Sequence, residues 1–323
     1  MRVAIAGGTS PTLGASIVSA LLSTDGRYTP VVLSREGKIH SFPPGSLLHD
    51  VEIRYVNYHS QPSLVETLRD VEVVLSVLLI PGSDWVTAQV NLLHAAEEAG
   101  CRRFAPSEYA LSSQAQAMVD LLDAKNTVWQ AVQDSVDRGK IDAARFPCGM
   151  FMNYLGIGCP DEGARAEALS GFQEGPVLVH LEDPSSSWVE VPLRADGTVP
   201  SLTMTELRDV GKFIVAALDL QAPWAGRELG MAGDTLSFTT LIALCQRFTG
   251  RSVEARTVTE PQLQARLETI PSSQFIERME CQLTIVCCRD GSVVNPALNR
   301  LSSVRPTTVE QFMQRYWGSH NRK

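Results

Sequence analysis

The first half of the chain alternates between apolar runs typical of buried strands and segments whose apolar residues repeat at helical spacing. The run VAIA is followed by GASIVSALLS, in which one helix face carries Ile17, Val18, Leu21 and Leu22. The next run, PVVLS, again has the continuous apolar character of a buried strand. This order predicts a βαβ unit at the start of the chain.

The same alternation continues through the strand predicted in IDAARFP. VEIRYVNY and VEVVLSVLLI are predicted strands on either side of the short helix SLVETLRD, and the second is apolar on both faces, as in parallel sheets. The helix SDWVTAQVNLLHAAEEAG should begin at a Ser/Asp cap and end at Gly100, before the strand and loop of CRRFAPSEY. A long polar helix is expected from about Ser113 to Val136. The pattern predicts an α/β fold with a Rossmann-type, doubly wound parallel sheet.

The rhythm changes after CGMFMNYLGIGCPDEG, where glycine, proline and loops become denser. PVLVHLEDPSSSWVEVPL suggests strand pieces, and TELRDVGKFIVAALDL and PTTVEQFMQRYW are predicted helices whose apolar stripes belong to a core. We expect a first domain over residues 1–155. A smaller α/β substrate domain is expected over residues 156–323, with some of its elements packing back on the first.

Composition narrows the class of protein. The chain has 323 residues, of which 44% are apolar, and 28 basic against 36 acidic residues give a net charge of −8. Without a basic run, nucleic acid is not expected as a direct partner. Because no window approaches about 20 apolar residues and no signal-peptide pattern opens the chain, we expect a cytoplasmic protein that does not bind a membrane.

The cysteines suggest no disulfide scaffold and no metal site. There are seven, an odd number, spread without a CxxC motif or a nearby histidine pair. Cys287 and Cys288 lie in LTIVCCRDG, which is expected to be a buried strand, and neither thiol is assigned any chemistry.

The segment GGTSPTLG joins the first strand to the first helix. A turn of this kind presents unpaired backbone N–H groups and the positive end of a helix dipole, and therefore favours a diphosphate, although a plain tight turn is the alternative. Ser10 stands where the usual fingerprint has its middle glycine, and the loop is one residue longer. We expect Pro11 only to shape the turn, because it has no N–H. The expected diphosphate-binding residues are Gly7, Thr9, Ser10, Thr12, Leu13 and Gly14.

The second predicted strand ends in SREGK. An acidic residue at this point usually meets a free ribose 2′-hydroxyl, whereas arginine accommodates a 2′-phosphate. The chain offers Ser34, Arg35 and Lys38 instead of an acid. Alone, this would be a basic surface turn, but next to the glycine loop it predicts NADP(H) as the cofactor.

Several segments taken together resemble the NmrA-like and isoflavone-reductase-like branch of the atypical short-chain dehydrogenases, most closely its fungal secondary-metabolism members. They are GGTSPTLG, SREGK, QVNLLHAAEEAGCRRFAPSEYA, DAKNTVWQAV and FPCGMFMNYLG. The resemblance implies a Rossmann domain, a small substrate domain and NADP(H) lying across the carboxyl ends of the strands.

The resemblance also implies roles for individual residues. Lys125 in LLDAK matches a family lysine that holds the nicotinamide ribose and acts as general acid or base. The Tyr-x-x-x-Lys pair of short-chain dehydrogenases is absent, since Leu121 stands four positions earlier. Glu108, just beyond a strand, is expected either to carry a proton or to brace the loop, and Tyr109 is more consistent with packing. Further cofactor-binding positions are expected at Ser76, Val77, Leu78, Ser107, Pro147, Cys148 and Met150, with Gly149 beside them and Asn57 and Tyr58 near the adenine.

These features predict an NADPH-dependent reductase of a small aromatic or heterocyclic secondary metabolite, with hydride from nicotinamide and Lys125 as the proton donor. Two alternatives stay open. One is a redox-neutral enzyme that retains NADP(H), such as an imine cyclase of alkaloid biosynthesis. The other is an NADP-sensing regulatory protein, a class that tends to lack the lysine. The sequence leaves open whether the protein is a monomer or a homodimer.

Overall fold

The computed structural model describes residues 1–38, 42, 45–80, 84–173 and 175–318. Its strands are β1 Arg2–Ala6, β2 Thr29–Arg35, β3 Glu52–Val56, β4 Val73–Ser76, β5 Arg103–Ala105, β6 Asp142–Arg145, β7 Met150–Phe151, β8 Val179–His180, β9 Ser187–Leu193, β10 Ser201–Thr205, β11 Arg227–Glu228, β12 Asp234–Ser237 and β13 Val253–Thr259. Its helices are α1 Leu13–Leu22, α2 Gln61–Leu68, α3 Asp84–Glu98, α4 Ser113–Gln116, α5 Asp123–Asp137, α6 Glu162–Leu169, α7 Leu207–Asp219, α8 Phe238–Thr249, α9 Glu260–Thr269, α10 Phe275–Cys288, α11 Ala297–Leu301 and α12 Val309–Trp317. No helix in these ranges is long and apolar enough to cross a membrane.

The main sheet of the described chain has seven strands in the order β11-β6-β5-β4-β1-β2-β3. Every neighbouring pair in it is parallel. The order is that of a Rossmann fold extended by one strand, so the predicted α/β, doubly wound sheet is confirmed. The chain reverses its winding direction between β1 and β4, which is where such sheets bind ligands at their carboxyl edge.

Alternate residues of each strand pack into cores on opposite faces of this sheet. In β1, Val3 and Ile5 face α1 and α7, whereas Ala4 and Ala6 face α2, α3 and α5. Because both faces are covered, the strands carry almost continuous apolar sequence, which explains the runs seen along the chain.

The second half of the chain completes the first. Helix α7 packs on α1 so closely that a Cβ on Gly211 would lie 2.4 Å from the carbonyl oxygen of Ser16. Strand β11 extends the main sheet by pairing with β6. The guanidinium of Arg103 on β5 donates to the carbonyl oxygens of Leu218 and Leu220, at 3.1 and 2.9 Å. The predicted domain boundary at residue 155 stays a prediction. In the structure, elements from both sides of this boundary pack together in and around the main sheet.

The remaining elements form the smaller unit. A three-stranded sheet, β12-β10-β7, and another, β13-β9-β8, surround a core to which α8 and α12 contribute Phe238, Leu241, Phe312 and Trp317. Strand β7 pairs with β10, so the chain enters this unit directly after β6 and returns to the main sheet at β11.

Two sequence expectations about single elements are wrong. The long helix from Ser113 to Val136 is broken into α4, a 3-10 turn at Asp120–Leu122 and α5, because Val119 is extended. Apolar side chains between α4 and α5 pack against Val286 of α10, and Gln282 of α10 donates to the Asp120 carboxylate. These tertiary contacts override the helix propensity of the local sequence.

The segment LTIVCC is the end of α10 and not a strand. It is buried against several elements, with Ile285 facing α9, Val286 facing α4 and Cys287 facing the smaller core. A helix buried on most sides shows a continuous apolar run, which periodicity cannot distinguish from a buried strand. Ser83, part of the cap predicted for α3, lies outside the described residues.

Candidate active site

The glycine loop, residues 7–14, is folded tightly over the end of β1. Gly7 has φ +82°, and a Cβ there would lie 3.1 Å from the carbonyl oxygen of Val77 on the neighbouring β4 segment. A Cβ on Gly14 would lie 2.7 Å from the carbonyl oxygen of Gly8. Both positions therefore require glycine, one for its backbone conformation and both for the close approach.

The N–H groups of this loop are only partly used by the protein itself. Ser10 N–H donates to Gly7 O at 2.9 Å, and Thr12 N–H reaches Ser10 Oγ at 3.4 Å. Within the described residues, the N–H groups of Thr9 and Leu13 have no hydrogen-bond partner, and the first turn of α1 has no acidic residue. The loop leaves donors and a helix dipole available to an anion. The expected contribution of the Ser10 N–H is less favourable, because that group already has an acceptor.

A groove of about 290 Å³ opens beside the loop, at the carboxyl ends of β1, β2 and β4. Arg35 and Lys38 are exposed on its rim, and within the described ranges neither side chain has an ion-pair partner. The groove is lined by Gly7, Thr9, Ser10, Pro11, Leu33, Ser34, Arg35, Lys38, Tyr58, Val77, Leu78, Leu79 and Ile80. We call it the glycine-loop groove.

The structure thus brings part of the glycine loop, residues of SREGK and the end of β4 to one groove. That these residues bind NADP(H) stays a prediction. Thr12, Leu13 and Gly14 form the adjoining start of α1. Ser76 lies beneath the groove, fully buried, with its Oγ accepting from Leu78 N–H at 3.4 Å. Asn57 is not among the lining residues, and its Oδ1 instead accepts from His59 N–H at 2.9 Å.

Several lining residues give no signal of a binding role in the sequence. They are Pro11, which was expected only to shape the turn, and the apolar Leu33, Leu79 and Ile80. Apolar strand ends carry no chemical signal of their own. The residues that follow β4 were nevertheless recoverable from the rule that the ends of adjacent parallel strands meet at one edge.

Lys125 lies in the first turn of α5, farther along the same carboxyl edge. Its ammonium donates to the carbonyl oxygen of Ser107, just beyond β5, at 2.6 Å. The Nζ atom lies 5.4 Å from the ring centre of Trp85 and 3.9 Å from Glu108 Oε2. With 22% of its side chain exposed, Lys125 is held by the protein yet open to a small molecule. The role of Trp85 was not anticipated from the sequence.

Glu108 is buried beside this lysine, with only 1% exposure. Its Oε2 accepts from Gln116 Nε2 at 2.6 Å, whereas its Oε1 has no hydrogen-bond partner in the described chain. Behind Gln116, Arg145 donates to Gln116 Oε1 at 3.1 Å and pairs with Glu228 at 2.7 Å. These four residues, Glu108, Gln116, Arg145 and Glu228, are called the Gln116 cluster. No sequence motif pointed to Gln116 or Arg145.

The segment after β6 lies largely inside the protein. The thiol of Cys148 is fully buried, donates to Tyr109 O at 3.2 Å, and has its pKa raised to about 12 by burial. Cys148 and the buried Pro147 therefore support the loop from within, while Met150 on β7 is partly exposed. The expected place of Cys148 among the cofactor-binding residues stays a prediction. Gly149 has φ +70°, and a Cβ there would lie 2.2 Å from Thr203 O, so the two sheets touch at this point.

Tyr109 behaves as the packing residue that was expected. Its ring stacks on Phe146 with centres 6.2 Å apart, and burial raises the pKa of its hydroxyl. The described residues contain no group of three or more His, Cys, Asp or Glu side chains that could hold a metal ion.

Comparison with known proteins assigns the chain to a family. An oxidoreductase, BOA1, from Botryotinia fuckeliana is 30% identical over 254 residues, covering 77% of this chain and 76% of that protein. Eugenol synthase 1 of Petunia hybrida is 24% identical, covering 98% of each chain. The complex of leucoanthocyanidin reductase with NADPH from Vitis vinifera superposes with a TM-score of 0.73 at 17% identity, covering 98% of this chain and 100% of that one. The model of the NmrA-like family matches residues 1–312, and the chain belongs to that family.

Proposed function

We propose that this protein is an NADPH-dependent reductase of a small aromatic or heterocyclic metabolite. The observation that carries the proposal is the alignment of two features along one sheet edge. One is a groove with two exposed cations, beside a loop whose Thr9 and Leu13 N–H groups have no partner in the described chain, and the other is a lysine held beside a buried carboxylate. The oxidoreductase from Botryotinia fuckeliana and the NADPH complex of the Vitis vinifera reductase support the same activity.

The glycine-loop groove fits a dinucleotide phosphate. Gly7 and Gly14 leave room where a Cβ would meet backbone, and the Thr9 and Leu13 N–H groups would face the diphosphate. Arg35 and Lys38 would hold the 2′-phosphate, because a guanidinium forms charge-assisted, bidentate bonds to phosphate oxygens. When bound, NADPH supplies a hydride, that is, two electrons and one hydrogen nucleus.

Lys125 would supply the matching proton. Its ammonium is oriented by Ser107 O and Trp85 and can donate to the substrate atom that gains electron density as the neighbouring carbon is reduced. The proton given up by Nζ would be replaced through Glu108 or solvent. The products are the reduced substrate and NADP⁺, so atoms and electrons balance.

A redox-neutral reaction is the second candidate, favoured by one observation. Glu108 has a buried oxygen without a hydrogen-bond partner among the described residues, and such a carboxylate can remove a proton whether or not hydride moves. An imine cyclisation would need only this base and Lys125.

A cytoplasmic location stays a prediction. Whether the protein is a monomer or a homodimer stays open.

The test uses NADPH carrying deuterium at the transferred position, with a panel of phenolic and nitrogen-heterocyclic substrates. A reductase consumes NADPH and yields a product that contains the deuterium, as measured by nicotinamide absorbance and product mass. Product without deuterium and without NADPH consumption would establish the redox-neutral alternative. Binding of NADPH without any product across the panel would favour the NADP-sensing alternative.

A further inference from the structure

Gln116 is a fully buried amide between two charged groups that are themselves buried. It ends the one-turn helix α4, where Ser112 Oγ accepts from Ala115 N–H at 3.4 Å, and its own carbonyl oxygen accepts from Asn126 at 3.3 Å. Arg145 has 3% exposure and Glu108 1%. The Gln116 side chain is therefore fixed at both ends and cannot exchange its contacts with water.

The chemistry of its neighbours determines which way the amide points. A guanidinium only donates hydrogen bonds, so the Gln116 atom that faces Arg145 must be the acceptor, Oε1. The atom facing Glu108 is then Nε2, which only donates. Glu108 Oε2 must accept this bond, and an oxygen accepting at 2.6 Å from a fixed donor is a poor place for a proton.

We propose that Gln116 is a positioning residue that restricts proton exchange by Glu108 to its second oxygen, Oε1. This oxygen is buried and has no partner among the described residues, which is an unfavourable state that a donor from substrate or an ordered water would relieve. The proton that Glu108 gains or releases therefore travels through Oε1. The exchange atom is specified by Arg145 acting through Gln116.

Every charged or titratable group packed around Glu108 bears on this exchange. Lys125 approaches from α5 with its Nζ 3.9 Å from Oε2, and Arg145 approaches from β6. Burial lowers the pKa of Arg145, but the carboxylates of Glu228 and Glu108 oppose that effect and favour the cation. Tyr109 and Cys148 are neutral neighbours, because burial raises the pKa of both groups. Glu108 thus has two cations nearby, Lys125 and Arg145, and the fixed amide of Gln116, while Glu228 lies beyond Arg145.

The test compares Gln116→Met with Gln114→Met. Methionine keeps the approximate volume at residue 116 but cannot donate to Glu108, whereas Gln114 is exposed on the same helix and serves as the matched control. The carboxyl carbons of ¹³C-glutamate-labelled protein are titrated by NMR, and the Glu108 signal is assigned by its loss in Glu108→Gln. Gln116→Met removes the hydrogen bond that Gln116 donates to the Glu108 carboxylate. The midpoint of the Glu108 titration should therefore move to higher pH by about one unit in Gln116→Met, and it should not move in Gln114→Met.

An unchanged midpoint in a folded Gln116→Met protein would overturn the proposal. If that variant does not fold, Gln116→Glu is used. Its carboxylate still accepts from Arg145 but places a second negative charge beside Glu108, so the midpoint should rise further. A Gln116→Glu midpoint equal to that of the unsubstituted protein would likewise refute the inference.

The link to turnover rests on the proposed function and is measured separately. With an identified substrate, Gln116→Met should shift the pH profile of kcat while leaving the Kd of NADPH unchanged, because the glycine-loop groove does not include Gln116. A purely structural role would lower kcat at all pH values without moving the profile. If no substrate is reduced but the NMR midpoint still moves, the proposed function fails and the positioning role of Gln116 stands.

Discussion

Lys125 is held in place by two different contacts of its ammonium group. Ser107 O accepts from the ammonium, and the Trp85 ring lies beneath the cation. Such a lysine loses little entropy when it meets a substrate, since its rotamer is already selected. The lysine could be predicted from the family motif in the sequence. Trp85 could not, because it comes from another helix that only the fold brings near.

Replacing Lys125 should chiefly affect the chemical step. Lys125→Ala should lower kcat by about 10² to 10⁴-fold, the usual contribution of a general acid, whereas the Kd of NADPH changes far less. Steady-state kinetics and calorimetry measure the two quantities. The exposed Lys140 provides the control, and Lys140→Ala should behave like the parent protein. Full activity in Lys125→Ala would remove the residue from the mechanism.

Arg35 should determine which nicotinamide cofactor is preferred. Arg35→Asp removes a charge-assisted contact worth about 1.5 to 3 kcal/mol and adds repulsion of the 2′-phosphate, so NADPH affinity should fall by at least about 10-fold while NADH affinity is retained. Calorimetric Kd values for both cofactors measure the effect. Arg69→Asp, at the exposed residue that follows α2, is the matched control. Equal affinity of the parent protein for NADPH and NADH would contradict the assignment.

At the scale of elements, the strand–helix alternation of the first half was predictable because both faces of a parallel sheet demand apolar strands. The break between α4 and α5 was not, because it depends on contacts with α10 far along the chain. The same applies to the Gln116 cluster, whose members come from a loop, α4, β6 and β11. The local sequence pattern determines where helices and strands form. The contacts between them depend on packing of residues that lie far apart in the sequence.

One such meeting place joins β8 to α10 through His180. Its ring stacks on Trp188 at 3.7 Å and contacts Glu280 at 3.1 Å, and Glu280 also accepts from Leu178 N–H. Burial acts to lower the pKa of His180, but the carboxylates of Glu280 and Glu182 outweigh it, so the pKa is raised above 6.5. A raised pKa means that the protonated form stabilises the fold below pH 6.5, and that this stability is lost as pH rises through the folded-state pKa.

His180→Phe keeps the stacking and removes the charge. The free energy of unfolding of the parent protein should exceed that of the variant most at acidic pH. The difference should shrink as the pH rises through the folded-state pKa of His180, which lies above 6.5. Urea denaturation at a series of pH values measures it. His59→Phe, at an exposed position, should show no such pH dependence. A difference that stays constant with pH would show that the carboxylates do not act through the His180 charge.

For the whole molecule, the glycine-loop groove links cofactor binding to global stability. It is built from three strand ends of the main sheet, so the unfolded chain has no equivalent site. NADPH at 100 times its Kd should therefore add about 2.7 kcal/mol to the free energy of unfolding, which appears as a higher Tm. NADH at the same concentration should add less, and Arg35→Asp should lose the gain from NADPH. Identical stabilisation by both cofactors in the parent protein would count against the groove as an NADP(H) site.

The close contact between α1 and α7 also bears on how the chain is made. Ser16 and Leu207, which share a hydrogen bond at this contact, are separated by 191 positions. A chain still emerging from the ribosome holds β1, α1 and β2 long before α7 exists, so Ile17, Val18 and Leu21 remain without their cover. Contacts of this range slow folding and leave apolar surface open to aggregation. We therefore expect an interval during synthesis in which part of the apolar surface of α1 is exposed and prone to aggregation.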